Sequence, residues 1–156
     1  MVLVDGLAPA VIRWAEDQQR RILLEGRPLG PVELEFAGSL GIRHAEQVRV
    51  LEVERIPLPV PAFLVDLAEG CGLPVFAPGG MALGLGVYLL HGQEGSLPHE
   101  LVHVAQYGRM GGIGAFMRTY LLQCLTEGYA GAELEREARL RSAGRNFTLH
   151  GKVYSI

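Results

Sequence analysis

The segment Leu97-Pro98-His99-Glu100-Leu101-Val102-His103-Val104-Ala105-Gln106-Tyr107 limits what this chain can fold into more than any other. On a helix, residues four apart lie one above the other, so the imidazoles of His99 and His103 leave the same face and can reach a single ion. Glu100 stands about 100 degrees round from His99 at 3.6 residues per turn, close enough to hold a water on that ion. Leu101, Val104, Ala105 and Gly108 gather on the opposite side, an apolar back for burial behind a polar front. Ser96 is expected to cap the N-terminus, and Pro98 in the first turn costs no hydrogen bond. Gly108 is the expected stop.

A chain of 156 residues is long enough for one domain with a real core. A net charge of −3, with no basic run to neutralise phosphates, argues against nucleic acid as the partner. Cys71 and Cys124 sit in apolar sequence without C-x-x-C spacing, and are read as reduced core residues. Asp5, Arg13, Glu16 and Asp17 interrupt any N-terminal signal-like run. The longest apolar stretch, Ile113 to Leu125, carries Arg118 and is too short to span a bilayer. A soluble, cytoplasmic protein with no transmembrane segment is expected.

Before the motif, Ala8 to Glu25 reads as a helix, and a second follows Pro31 and ends at Gly41. Gln47 to Ile56 alternates as a half-buried strand. Pro57, Pro59 and Pro61 stiffen a connector that opens a helix over Ala62 to Glu69. Met81 to Leu90 reads as one buried strand interrupted by Gly84 and Gly86. These glycines lack the G-K-[ST] of a phosphate loop, so nucleotide binding is not expected. After the motif come a glycine-rich hinge from Gly108 to Gly114 and an apolar helix from Ala115 to Glu127 that Gly128 breaks. A charged helix over Ala132 to Ala143 buries Leu134 and Ala138, and Asn146 to Ile156 is a tail.

His99-Glu100-x-x-His103 is the pattern of zinc-dependent peptidases, in which two helical histidines hold the metal and the glutamate serves as general base. A catalytic zinc takes three protein ligands and keeps one position open. His44, His91 and His150 are candidates for the third, as are Glu133, Glu135 and Glu137, about thirty residues beyond the motif. Wheel geometry does not choose among these glutamates. Glu135 and Glu137 each have an arginine four residues on as a surface partner.

Over about residues 80 to 143 the chain resembles the short bacterial gluzincin-type metallopeptidases. The likeness rests on His99 to Tyr107, the glycine-rich and aromatic stretch Gly111 to Tyr120, and Tyr129 to Ala138. In that group the third ligand is a glutamate followed three residues later by a small residue. Glu135 with Ala138 fits, so the resemblance implies Zn2+ held by His99, His103 and Glu135. Many relatives place Asn-Pro before the Leu-Glu, where this chain has Ala132-Glu133.

The expectation is one α+β domain over residues 1–156, a minimal zincin-like fold. It comprises an N-terminal accessory part (1–60), a core (61–143) with a small sheet, an active-site helix and a C-terminal ligand-bearing helix, and a tail (144–156). The expected activity is peptide-bond hydrolysis on a peptide or protein substrate. Glu100 would take a proton from the attacking water and return it to the leaving amine. Tyr129, His91 and Tyr107 are candidates for stabilising the oxyanion, and Met81 to Leu90 for pairing with an extended substrate. The alternative is a non-catalytic interaction module stapled by zinc. Oligomeric state is not legible.

Overall fold

A computed structural model of the chain describes residues 2–59, 78–145 and 147. The helix expected over Ala62 to Glu69, Cys71 and His150 lie outside the described residues. The fold is α+β. Its elements run α1 (Val2–Glu25), β1 (Arg27–Pro28), α2 (Pro31–Ser39), β2 (Arg49–Val53), β3 (Gly80–Leu83), β4 (Gly86–Leu90), α3 (Leu97–Met110), α4 (Ile113–Gly131) and α5 (Glu133–Ser142). None of the described helices is long and apolar enough to cross a membrane.

The sheet order is β1-β2-β4-β3. β2 pairs in parallel with β4, Val50 opposite Val87, while β1 and β3 pair antiparallel at the two edges. The apolar run expected as one strand is two. Gly84, at φ 67°, and Leu85 turn the chain back on itself, and Leu83 pairs with Gly86. A continuous apolar run cannot show such a reversal by periodicity, because both strands of this hairpin are buried. Gln19 of α1 holds the turn, its Oε1 accepting from Leu85 N–H at 2.9 Å.

Val87, Tyr88 and Leu89 are all fully buried, so β4 is covered on both faces. Gly86 and Tyr88 face α1: a Cβ on Gly86 would lie 2.9 Å from Ile22 Cδ1, and Tyr88 donates to Gln18 Oε1 at 2.7 Å. On the opposite face, Leu89 meets Gly80 and the motif helix α3. The first helix begins at Val2 rather than Ala8 and contains Pro9. Val4, Ala8, Ala15 and Ile22 form one buried stripe, and that burial outweighs the hydrogen bond Pro9 lacks.

The start of α2 is fixed by Glu33, which is buried. It accepts from Gly30 N–H at 2.7 Å and takes a two-pronged pair from Arg27 at 2.9 and 3.0 Å. This ties the helix to β1.

Candidate metal centre

The motif helix α3 follows directly from a 3-10 turn at Glu94–Ser96. Ser96 is therefore already helical, at φ −79° and ψ −17°, and makes no side-chain cap, contrary to expectation. Its hydroxyl instead packs towards Gly79. The helix also passes Gly108, which is exposed and helical, and ends at Gly111 in the left-handed conformation, φ 93°. There Gly112 N–H returns to Tyr107 O at 2.8 Å, leaving a tight two-glycine turn into α4 where a longer hinge was expected.

His99, His103 and Glu135 converge. The three side chains offer ligand atoms that all lie within 4.8 Å of one another. His99 Nε2 is 3.1 Å from His103 Nε2 and 3.1 Å from Glu135 Oε2, and His103 Nε2 is 3.3 Å from Glu135 Oε1. An ion bound tetrahedrally at zinc-ligand distances separates its ligand atoms by about 3.3–3.4 Å, so the donor set fits zinc in type, and each histidine nitrogen lies near that distance from one oxygen of the carboxylate. Two ring nitrogens 3.1 Å apart also require a proton or a cation between them.

The electrostatics follow from burial and partners. Burial raises the proton affinity of Glu135, but hydrogen bonds to His103 and His99 outweigh it and hold the carboxyl well below its ordinary range. Burial alone would lower His103, yet its bond to Glu135 and the charge of Glu100 carry it above the usual histidine value. Glu100 is pushed up, chiefly by burial. Its Oε2 accepts from Ala82 N–H of β3 at 2.9 Å, and Tyr107 Oη donates to the carbonyl of the same residue at 3.1 Å. The edge expected to pair with substrate is thus already engaged at Ala82 by two side chains of α3.

α5 delivers Glu135, which is 2% exposed. The Ala132-Glu133 start lacks a capping side chain, and α4 supplies it: Gln123 Oε1 accepts from Leu134 N–H at 3.0 Å. Glu137 points away from the histidines. It accepts from both terminal nitrogens of Arg109 at 2.8 Å, from Arg141 at 3.2 Å and from Gln106 at 2.9 Å, and its pKa is pulled down to about 2, mainly by Arg109.

His91 follows β4 half-exposed beside Glu52 and Glu54, and His44 is exposed beside Glu46. Neither lines the cleft over the three ligands. Tyr107 is buried and committed to Ala82, and Tyr129, just past the break at Gly128 (φ 73°), stands partly exposed at the cleft with its hydroxyl hydrogen-bonded to Glu135. Cys124 is a free, half-buried thiol in the cleft wall rather than a core residue.

Two contributors escaped the sequence reading. Tyr120 Oη donates to Glu135 Oε1 at 2.8 Å, and Gln106 bridges the helices beneath His103. The i, i+4 pair Phe116 and Tyr120 was a usable signal, since it stacks Tyr107, Phe116 and Tyr120 in series beside His103.

The cleft measures about 740 Å³ and is mainly apolar, with Val11 and Trp14 of α1 facing Met81, Phe116 and Leu121. A larger cavity, about 960 Å³, opens behind α3 near Arg43 and Gly112, and it includes none of the three ligands. Comparisons with protein-family profiles, with curated proteins and with solved structures find no match to this chain.

Proposed function

We propose that the protein is a zinc-dependent peptidase, with His99, His103 and Glu135 as the metal ligands and Glu100 as the general base. The observation that carries this reading is the convergence of the two ring nitrogens, 3.1 Å apart, on the Glu135 carboxylate, whose two oxygens lie 3.1 Å from His99 and 3.3 Å from His103, in an open cleft. Zinc held there would supply a Lewis acid and a water of lowered pKa. Burial raises the proton affinity of Glu100, which suits a group that accepts a proton from the attacking water and passes it to the leaving amine. Tyr129, at the cleft and hydrogen-bonded to Glu135, is the candidate donor to a developing oxyanion.

One observation favours a second reading, a non-catalytic module stapled by zinc: Glu100 is only 6% exposed and already bonded to Ala82. Elemental analysis of purified wild type and Glu135→Ala tests the site. One zinc per chain, lost in the variant, is expected, and a folded wild type without zinc refutes it. Digestion of a peptide library then separates the two readings. Turnover abolished in Glu100→Gln with zinc retained is the peptidase outcome, and a zinc-loaded wild type that cleaves nothing favours the module.

A further inference from the structure

Beneath the ligands, outside the cleft, lies a fully buried polar side chain that the reaction does not use. Gln106 is 0% exposed and makes three short contacts: Oε1 to His103 Nδ1 at 2.7 Å, and Nε2 to Leu134 O and to Glu137 Oε2, both at 2.9 Å. The orientation of its amide is dictated rather than chosen. A backbone carbonyl and a carboxylate can only accept, so both must face the NH2 group. Arg109 and Arg141 hold Glu137 in the ionised form that accepts. The flipped amide would set its oxygen against two other oxygens at 2.9 Å. Oε1 therefore faces His103 and must receive a hydrogen from Nδ1.

We infer that Gln106 is a positioning residue that fixes His103 in the Nδ1–H tautomer and ties the metal-ligand helix α3 to the glutamate-bearing helix α5. With Nδ1 protonated, the lone pair of His103 lies on Nε2, the atom that faces His99 and Glu135. The same amide binds the carbonyl of Leu134, the residue before Glu135. One side chain thus sets both the orientation of one ligand and the placement of the helix carrying another. Outer partners of this kind are generally worth about 10–100-fold in metal affinity. The inference rests on the metal site proposed above for its consequence, though not for the tautomer itself.

Substitution separates the two roles. Gln106→Glu keeps an acceptor for Nδ1–H but loses both donations to α5, whereas Gln106→Met loses all three bonds. Zinc affinity, measured by chelator competition, should fall about 10–100-fold in Gln106→Met, and less in Gln106→Glu, which keeps the His103 bond but loses the tie to α5. Thermal midpoints should fall in both. A purely structural role would lower the midpoints while leaving affinity unchanged in both variants, or would lower affinity equally, and either result overturns the assignment. Long-range proton–nitrogen NMR correlations on wild type decide the case even if Gln106→Met does not fold. His103 should carry its hydrogen on Nδ1 both with zinc and in metal-free protein at a pH where the ring is neutral. A hydrogen on Nε2 in the metal-free protein overturns the inference. A wild type that binds no zinc but shows the Nδ1–H tautomer would refute the metal centre and leave the role of Gln106 standing.

Discussion

Adding the same methyl group at two glycines should move stability in opposite directions. At Gly80, in the strand beside the motif helix, a Cβ would lie 2.7 Å from Glu100 Cγ, 3.0 Å from Leu89 Cδ2 and 3.2 Å from Glu100 Cδ. The closest approach falls about 0.7 Å short of the 3.4 Å at which ordinary contact begins. Neither neighbour yields easily, because Leu89 is fully buried and Glu100 is held through Ala82 N–H. Overpacking of this kind costs about 1–3 kcal/mol. At about 2–4 °C per kcal/mol for a chain of this size, Gly80→Ala should lower the thermal midpoint by about 2–12 °C. Gly38 is exposed in α2, and nothing lies within 4 Å of its Cβ position. Gly38→Ala should therefore stabilise the helix by about 0.5–1 kcal/mol and raise the midpoint by about 1–4 °C. Thermal unfolding followed by circular dichroism reads both. Zinc content should be unchanged in Gly80→Ala, since no ligand is touched, while any peptidase turnover falls. A misplacement of about 1 Å in a catalytic group is worth about 100-fold. A Gly80→Ala midpoint at or above wild type would refute the packing argument.

Three further outcomes follow from other parts of the molecule. Burial raises the Tyr88 phenol above its ordinary value, so its contribution to stability is complete below about pH 10 and is lost as pH rises through the folded value. Tyr88→Phe should flatten the alkaline limb of the stability curve, and an unchanged limb would place the titration elsewhere. Glu33→Gln should lower stability by about 1–3 kcal/mol in denaturant titration, because it leaves the Arg27 guanidinium without its charged partner and weakens the start of α2. Chelation of a zinc-loaded sample should leave the helical signal intact, because the core around Ile22, Val50, Tyr88 and Leu89 is built from apolar contacts that need no ion. Unfolding on chelation would instead make zinc a staple of the fold.

The α+β class and the shared face of two histidines were legible in the sequence, and the details of strands and helix ends were less so. His99 and His103 share a face because four residues make about one turn, and no tertiary knowledge is needed to see it. Placing Glu135 beside them required the resemblance, because Glu133, Glu135 and Glu137 were equivalent to wheel geometry. The structure distinguishes them through partners that lie far away in sequence: Arg109 and Gln106 draw Glu137 aside, while Tyr120 and the histidines hold Glu135. The hairpin at Gly84 was hidden because burial on both faces erased the alternation that marks a strand's ends. Ser96 and Gly108 misled for a related reason. Each carries the right residue type for a helix terminus, but the 3-10 turn ahead of Ser96 leaves it helical and without a side-chain cap, and the helix runs past Gly108 to the left-handed Gly111. Gln106 lies within the stretch that carries the resemblance but was given no role, and only the docking of α5 supplies two of its three partners.

The contact between Ile22 and Gly86 reaches further than the packing it provides. α1 is a single rod of 24 residues, about 36 Å long, and it rests on the sheet where a glycine leaves room for an isoleucine. Trp14 and Val11, farther along the same rod, form one wall of the cleft over the histidines. A bulkier residue at position 86 would lift the rod at Ile22 and swing that wall, altering the width of the cleft without touching a ligand. The stance of the N-terminal helix over the cleft is thus set at a glycine on the sheet.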